Sequence, residues 1–478
     1  MEFEVEEVGK EHLVPLVKRL REYVFDIGKG EVLVAKEHVQ ESTWEGLVKR
    51  ELFVEPKWED ATFCVVAIVW TVRKMPFIGH GNFTVGNGED VYASTIIPAL
   101  HSAKYEIIFV TSFWARSSAL DQLSAILVRL STEGLARPRD EPKLRVRLCF
   151  SSFSSTQKLF HTSSASGHTF PPSKWSSLGL PSPDMLDGLD LQVKSLFFLP
   201  FSVMHPKFVI VDRQHALLPS CNLSYESWLE CCLLISGPAV ATLVDFWHSV
   251  WGRNDLPALA SKDAEQEPSP ASAYKTTLLP SPHHRSPRFR PFSASASPPS
   301  TPLNTHLLNL FVTASRSIRL LTPNLTSLPV ISALLDALQR GVDVTVITNR
   351  RMLVLEQLLT AGTITEFCVW KFRRRYRKLV TSRRKSIALN TDEGRSREVG
   401  SLRLGYFIPD SHYAKSHIKC TTVDEETVVL GSGNMDRASW YTSQELGIAL
   451  EGVDVVREIW QSVDKELNGR DCGGVEWL

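Results

Sequence analysis

The chain carries no net charge, with 53 Lys and Arg against 53 Asp and Glu. That balance excludes a surface given over as a whole to nucleic acid, while leaving room for a local basic patch. No apolar run comes near the roughly 20 residues of a bilayer-spanning helix. The longest, FCVVAIVW (63–70), reads as a buried strand. Among eight cysteines there is no C-x-x-C pair, so no zinc site is expected, and no other motif in the sequence points to a metal or other cofactor. Cys149, Cys221, Cys231, Cys232, Cys368 and Cys420 sit in or beside apolar runs and read as buried, reduced thiols. The first residues, MEFEVEEVGKEH, are acidic and have neither the basic start and apolar stretch of a secretory signal nor an Arg-rich presequence. These absences predict an intracellular, cytoplasmic protein with no transmembrane segment, one still able to visit a membrane as a peripheral protein.

What is present is a duplicated layout interrupted by one segment of different texture. Residues 263–302 read DAEQEPSPASAYKTTLLPSPHHRSPRFRPFSASASPPSTP, rich in Pro and Ser and poor in groups to bury. They predict a disordered linker, taken as 258–303, between a first domain at 61–257 and a second at 304–478, with 1–60 as an N-terminal extension. Within the first domain a helix precedes a strand at Tyr105–Thr111, a second helix covers 121–130, and a strand follows at Leu144–Phe150. The second domain repeats this order with helical spacing through Leu307, Leu308, Phe311 and Ala314, then a strand at Ser317–Thr322. PVISALLDALQRGVDVTVITN follows, where Arg340-Gly341 stops a helix before the strand Val342–Thr348. Further apolar strands are expected at Leu229–Ile235 and Glu445–Leu450. Alternating helices and strands predict α/β domains with mainly parallel sheets.

Each domain holds one copy of a sparse polar pattern. HPKFVIVDRQHALLPSCN (205–222) and HIKCTTVDEETVVLGSGN (417–434) carry the same residue types at the same spacings. Side chains two apart on an extended chain share a face. His205 with Lys207, and His417 with Lys419, therefore project together. An imidazole beside an ammonium suits a phosphate ester: the lysine neutralises non-bridging oxygens, and the imidazole attacks phosphorus or protonates a leaving oxygen. Ser220 and Asn222, and Ser432 and Asn434, add donors. A carboxylate can fix each histidine's tautomer, and Glu230 and Glu445, on the strands that follow, are the candidates. Asp212 and Asp424 lie an odd number of steps from their lysines, a parity that favours bracing the backbone at the strand end over touching substrate.

The duplicated His-x-Lys-x4-Asp followed by Ser-x-Asn resembles the signature of the phospholipase D superfamily. GSGNMDRASWYTSQELGIAL (431–450) and LLDALQRGVDVTVIT are similar to segments of bacterial-type cardiolipin synthases and related phosphatidyltransferases. The resemblance covers roughly 85–255 and 303–465. It implies two pseudo-symmetric domains with one active site at their interface, containing His205, Lys207, Asp212, Ser220, Asn222, Glu230, His417, Lys419, Asp424, Ser432, Asn434 and Glu445. It also implies a covalent phosphohistidine, a second histidine that protonates the leaving group, and no metal for this step. Two departures stand out. Pro219 replaces the usual glycine, and Glu230 lies three residues nearer its asparagine than Glu445 does.

The shared chemistry leaves the substrate open between phospholipid, which the resemblance in the second half favours, and a nucleic-acid phosphodiester. A degenerate, non-catalytic binding protein is the third alternative if Pro219 disables its half-site. The basic stretch WKFRRRYRKLVTSRRK (370–385), with Trp370, Phe372 and Tyr376 interleaved, reads as a solvated loop or helix face. It also suits peripheral contact with an anionic membrane or with single-stranded nucleic acid.

Overall fold

The computed structural model describes residues 83–138, 140–153, 167–198, 202–252, 274–281, 297–388, 398–468 and 474–478. The extension read at 1–60 and the strand read at 63–70 lie outside the described residues.

In the first half, strand β1 (Phe83–Asn87) enters helix α1, built of Gly88–Val91, a π-turn at Tyr92–Ile96, and Ile97–His101. Strand β2 (Glu106–Phe113), helix α2 (Ser118–Leu135) and strand β3 (Leu144–Ser152) follow. Helix α2 begins where the Ser117 hydroxyl accepts the Leu120 N–H. Its 3.6-residue spacing buries Leu120, Leu123, Leu127 and Leu130 in one cluster with Ile107, Phe109, Val146 and Leu148 of the sheet. Next come β4 (His168–Phe170), β5 (Leu189–Ser195), and a small ribbon of β6 (Phe197–Phe198) and β7 (Ser202–Val203). Strands β8 (Phe208–Val211), β9 (His215–Pro219) and β10 (Trp228–Ser236), then helix α3 (Pro238–Val250), complete the half.

The second half runs β11 (Lys275–Ser281), α4 (Pro302–Thr313), β12 (Ser317–Leu321), α5 (Leu328–Gln339) and β13 (Asp343–Thr348). Helices α6 (Val354–Ala361) and α7 (Thr365–Ala388) lead to β14 (Leu402–Phe407). Then come β15 (Lys415–Ser416), β16 (Cys420–Val423), β17 (Thr427–Gly431), α8 (Arg437–Tyr441), β18 (Glu445–Glu451), α9 (Val453–Asn468) and β19 (Val475–Trp477). Its core joins Leu320, Val344 and Val346 to Leu334 and Leu338 of α5 and Phe372 of α7. None of the helices among the described residues is long and apolar enough to cross a membrane.

The two sheets have matching strand orders, β1-β10-β9-β8-β2-β3-β5-β4 and β11-β18-β17-β16-β12-β13-β14-β19. The α/β class and the duplication are as the sequence predicts, but the sheets are mixed rather than mainly parallel. Within each half only β2–β3–β5 and β12–β13–β14 run parallel among the described residues. The motif strands β8, β9 and β10, like β16, β17 and β18, pair antiparallel. Parallel neighbours need a crossover of a dozen or more residues, and the links 212–214, 220–227 and 424–426 are too short for one.

A second correction concerns the Pro/Ser-rich segment. Lys275–Ser281 inside it is a strand, paired antiparallel with β18 along its whole length. It is the counterpart of β1, which pairs in the same way with β10. It lies at the sheet edge, a place where a strand tolerates proline, here Pro280. Helix α4 also begins at Pro302, inside the range read as linker.

The halves meet through their own backbones. Strand β15 of the second half pairs parallel with Trp228–Leu229 of the first, and Met204 of the first half bridges Gln444 of the second.

Leu279 is 2 % exposed in β11. Leu279→Ala is expected to cost about 2–5 kcal/mol of unfolding free energy, measured by denaturant titration. Wild-type stability would show that the strand is dispensable.

Candidate active site

The site is built outward from two hairpin turns. Val211 and His215 are joined by three residues, with Asp212 at φ 50° and Arg213 at φ 58°. The second copy repeats this with Asp424 at φ 54° and Glu425 at φ 59°. Such paired left-handed residues form the tight turn that matches strand twist, and Asp tolerates the conformation better than most residues. The Asp212 carboxylate accepts the backbone N–H groups of Lys104, Tyr105 and Glu106 at 2.7–2.8 Å. Asp424 accepts those of Ser315, Arg316 and Ser317 at 2.7–2.9 Å. The two aspartates thus tie the motif hairpin to the start of the neighbouring strand. Their carboxylates are engaged there, apart from the histidine cluster.

At the other end of each hairpin an extended lead-in carries the histidine and lysine. His205 is tied across to the other half, its N–H donating to the Gln444 carbonyl at 3.0 Å. His417 mirrors it, donating to the Leu229 carbonyl at 2.8 Å. Gln444 and Leu229 are the residues just before Glu445 and Glu230. The carboxylates therefore fall beside the opposite half's rings. His205 Nδ1 lies 2.9 Å from Glu445 Oε2, and His417 Nδ1 lies 2.8 Å from Glu230 Oε1. The residues named from sequence are brought together, but the pairing is crossed: each half supplies a histidine to one pair and a glutamate to the other.

The serines have a different task from the one their position suggests. Ser220 Oγ donates to Glu230 Oε2 at 2.5 Å, and Ser432 Oγ donates to Glu445 Oε2 at 2.5 Å. Each hydroxyl also accepts a backbone N–H, from Cys231 at 2.8 Å and Leu446 at 3.0 Å. They hold the glutamates that hold the histidines. Asn222 Oδ1 accepts the Phe113 N–H at 3.3 Å, whereas Asn434 Nδ2 donates to Asp436 and its Oδ1 is buried without a partner.

Both departures in the first copy are absorbed locally. Gly431 has φ 152°, and a Cβ there would lie 2.2 Å from the Leu446 carbonyl oxygen. Pro219 cannot copy that conformation, yet the next residue keeps its place. Ser220 N–H reaches the Cys231 carbonyl at 2.7 Å, as Ser432 N–H reaches Leu446 at 2.9 Å. The three extra residues before Glu445 accommodate helix α8, which has no counterpart between Asn222 and Glu230.

Electrostatically the cluster is one unit. Lys207 and Lys419 are 3 % and 5 % exposed, and each ammonium donates to the carbonyl of its own histidine. Burial lowers Lys207 to about 8 and Lys419 to about 7, with Lys207 also depressing Lys419. Burial raises Glu230 to about 7 against the pull of Lys419. Burial lowers His205 against the neighbouring Glu445. It lowers His417 further, and Lys419, Lys207 and His205 add to the effect. A neutral imidazole whose Nδ1–H faces a carboxylate presents its Nε2 lone pair. Sequence reading missed Trp228, whose ring lies 4.8 Å from that of His417, tilted at 52° to it. Its place two residues before Glu230, at the start of the same strand, was the available signal.

This geometry can be set beside known proteins. Residues 307–467 match the family described as cardiolipin synthase, PLD-like domain. No curated protein matches the chain. Among solved structures, phosphatidylserine synthase of Haemophilus influenzae is 13 % identical, covering 87 % of this chain and 92 % of its own at a TM-score of 0.51. Polyphosphate kinase of Porphyromonas gingivalis (14 % identical, 81 % and 50 % covered) has a TM-score of 0.43. The phospholipase D family member Nuc of Salmonella typhimurium (16 % identical, 43 % and 98 % covered) has a TM-score of 0.28. The family match thus covers a domain within the second half, and the first half repeats that half's strand order.

The lysine shifts give a test that needs no substrate. Both ammoniums are charged below their pKa values and lose charge as pH rises through about 7 to 8. Sulfate, whose own charge is constant here, should bind at least about tenfold more weakly at pH 9 than at pH 6, read by calorimetry. Equal affinity at both pH values would mean that the lysines keep ordinary pKa values.

Proposed function

We propose that the protein is a phosphodiesterase or phosphatidyltransferase that acts on phospholipid, in the manner of a cardiolipin synthase, through a covalent phosphohistidine. The observation that carries this reading is the crossed pair of carboxylate-held histidines, each beside a buried lysine. Lys207 and Lys419 neutralise the non-bridging oxygens of the diester. His205 is the nucleophile, and its access supports that choice: its side chain is 18 % exposed against 5 % for His417.

His205 Nε2 forms the P–N bond as the P–O bond to the leaving alcohol breaks. His417 gives its proton to that oxygen. The arriving phosphate is negatively charged, which favours the protonated form of the ring it faces. In the second step water or an acceptor alcohol attacks phosphorus, His417 takes its proton, and the P–N bond breaks. The lipid substrate rests on the cardiolipin synthase description of the matched domain. Nucleic acid is the competing substrate, and the basic run 370–385 is what favours it.

Purified protein incubated with labelled phosphatidylglycerol, phosphatidylcholine and single-stranded DNA, with EDTA present, separates these readings. Turnover of lipid and not of DNA is expected. Cleavage of DNA alone would replace the lipid assignment, and no turnover of any would leave a binding protein.

The two histidines should differ in a trapping experiment with an activated, labelled diester. His205→Ala should yield no phosphoenzyme. His417→Ala should fail on natural diesters yet still form the intermediate from a p-nitrophenyl ester, whose leaving group departs without a proton. Breakdown of that intermediate should then be slow. Label mapped to the His417 peptide would reverse the roles.

A further inference from the structure

Exposed apolar side chains are concentrated in one place. Of the fifteen large hydrophobic residues exposed among those described, six lie between 353 and 370: Leu353, Leu355, Leu358, Leu359, Phe367 and Trp370. Helix α6 is inside out. Its Gln357 is 3 % exposed while Leu355 is 72 % exposed. The inward glutamine is fully engaged: Nε2 donates to Asn324 Oδ1 at 3.1 Å and to the Met352 carbonyl, and Oε1 accepts from Thr365 N–H at 2.7 Å and Oγ1 at 2.8 Å. That clamp fixes the helix rotation with the leucines outward, against the usual burial of an apolar stripe.

The aromatic pair continues the surface onto helix α7. Phe367 and Trp370 stack at 5.7 Å and 12°. Lys371 Nζ lies 4.3 Å from the Phe367 ring, and the Arg374 guanidinium lies 5.5 Å from that of Trp370. Beyond them, residues 370–385 hold nine basic and no acidic side chains in a chain of zero net charge. Val369 and Phe372 anchor the opposite side of α7, at 2 % and 0 % exposure.

This corner is wired to the active site. The loop that feeds α6 carries Asn349, whose side chain bonds the Ser416 carbonyl at 2.8 Å and the Ser416 N–H at 2.9 Å, one residue before His417. Helix α6 also packs on α8, which begins three residues after Asn434.

We propose that the α6–α7 corner docks on an anionic membrane. The leucines and the aromatic pair enter the acyl boundary, the arginines and lysines of α7 meet anionic headgroups, and the His417 side of the site is held at the lipid surface. This deepens the lipid reading given above and rests on it. Outward aliphatic side chains favour lipid over nucleic acid, because a phosphate backbone with bases to stack gives leucine nothing to bury against.

The test uses the full chain, vesicles of phosphatidylcholine alone or with about one third phosphatidylglycerol, and a labelled single-stranded oligonucleotide. Wild type should bind the anionic vesicles at least tenfold more tightly than the neutral ones. Leu355→Ser with Leu359→Ser should lose at least tenfold in affinity for anionic vesicles. Arg374→Gln with Arg377→Gln should lose most of the preference for anionic lipid and flatten its salt dependence. Both variants should keep wild-type thermal stability and wild-type turnover of a soluble p-nitrophenyl diester. That last readout separates this surface from the catalytic reading, which fails only if the soluble ester is not turned over. The docking proposal is overturned if wild type does not prefer anionic vesicles or if the leucine variant binds them as wild type does. Loss of oligonucleotide binding with vesicle binding intact in the arginine variant would overturn it in favour of a nucleic-acid surface.

Discussion

The crossed pairing of each histidine with the other half's glutamate is the constraint on which the site depends. Neither half holds a complete set: the first has His205 without its carboxylate, the second has Glu445 without its ring. The backbone enforces the crossing. The strand end before each histidine bonds to the strand end before the opposite glutamate, so the rings meet their carboxylates only when the two sheets are joined. Two lysines, two glutamates and two histidines are thereby taken out of water together. Such burial is expensive unless every charge has partners. The serine–glutamate and lysine–carbonyl bonds supply them, while the depressed lysines and the raised Glu230 register the cost that is not offset.

The same constraint explains an unequal pair of half-sites within a symmetric frame. His417 is the more enclosed, with Trp228 against it and a pKa lowered further, whereas His205 remains partly open. A duplicated fold thus yields two histidines in different environments, which suits the proposed two-step transfer with its distinct attacking and proton-carrying groups.

Much of this was legible in the residues. The repeated spacing located both histidine–lysine pairs, and side-chain parity set the aspartates apart from them. The crossing was not legible, because sequence proximity suggests that a carboxylate serves the histidine of its own half and only the sheet-to-sheet join decides otherwise. Ser220 and Ser432 looked like phosphate donors because the glutamates that take their hydroxyls lie ten and thirteen residues away in sequence. Strand β11 was hidden by its composition: an edge strand tolerates Pro280, so the usual argument against strand does not apply. Helix α6 adds a feature that composition alone does not show: the bonds made by Gln357 turn its leucines outward.

The crossed pairing can be measured without activity. In protein labelled with 15N-histidine, two strongly deshielded Nδ1–H protons are expected, assigned by replacing each histidine in turn. Glu445→Gln should remove the His205 signal and leave that of His417, and Glu230→Gln should do the reverse. If each substitution instead abolished the signal of the histidine in its own half, the crossed account would be contradicted.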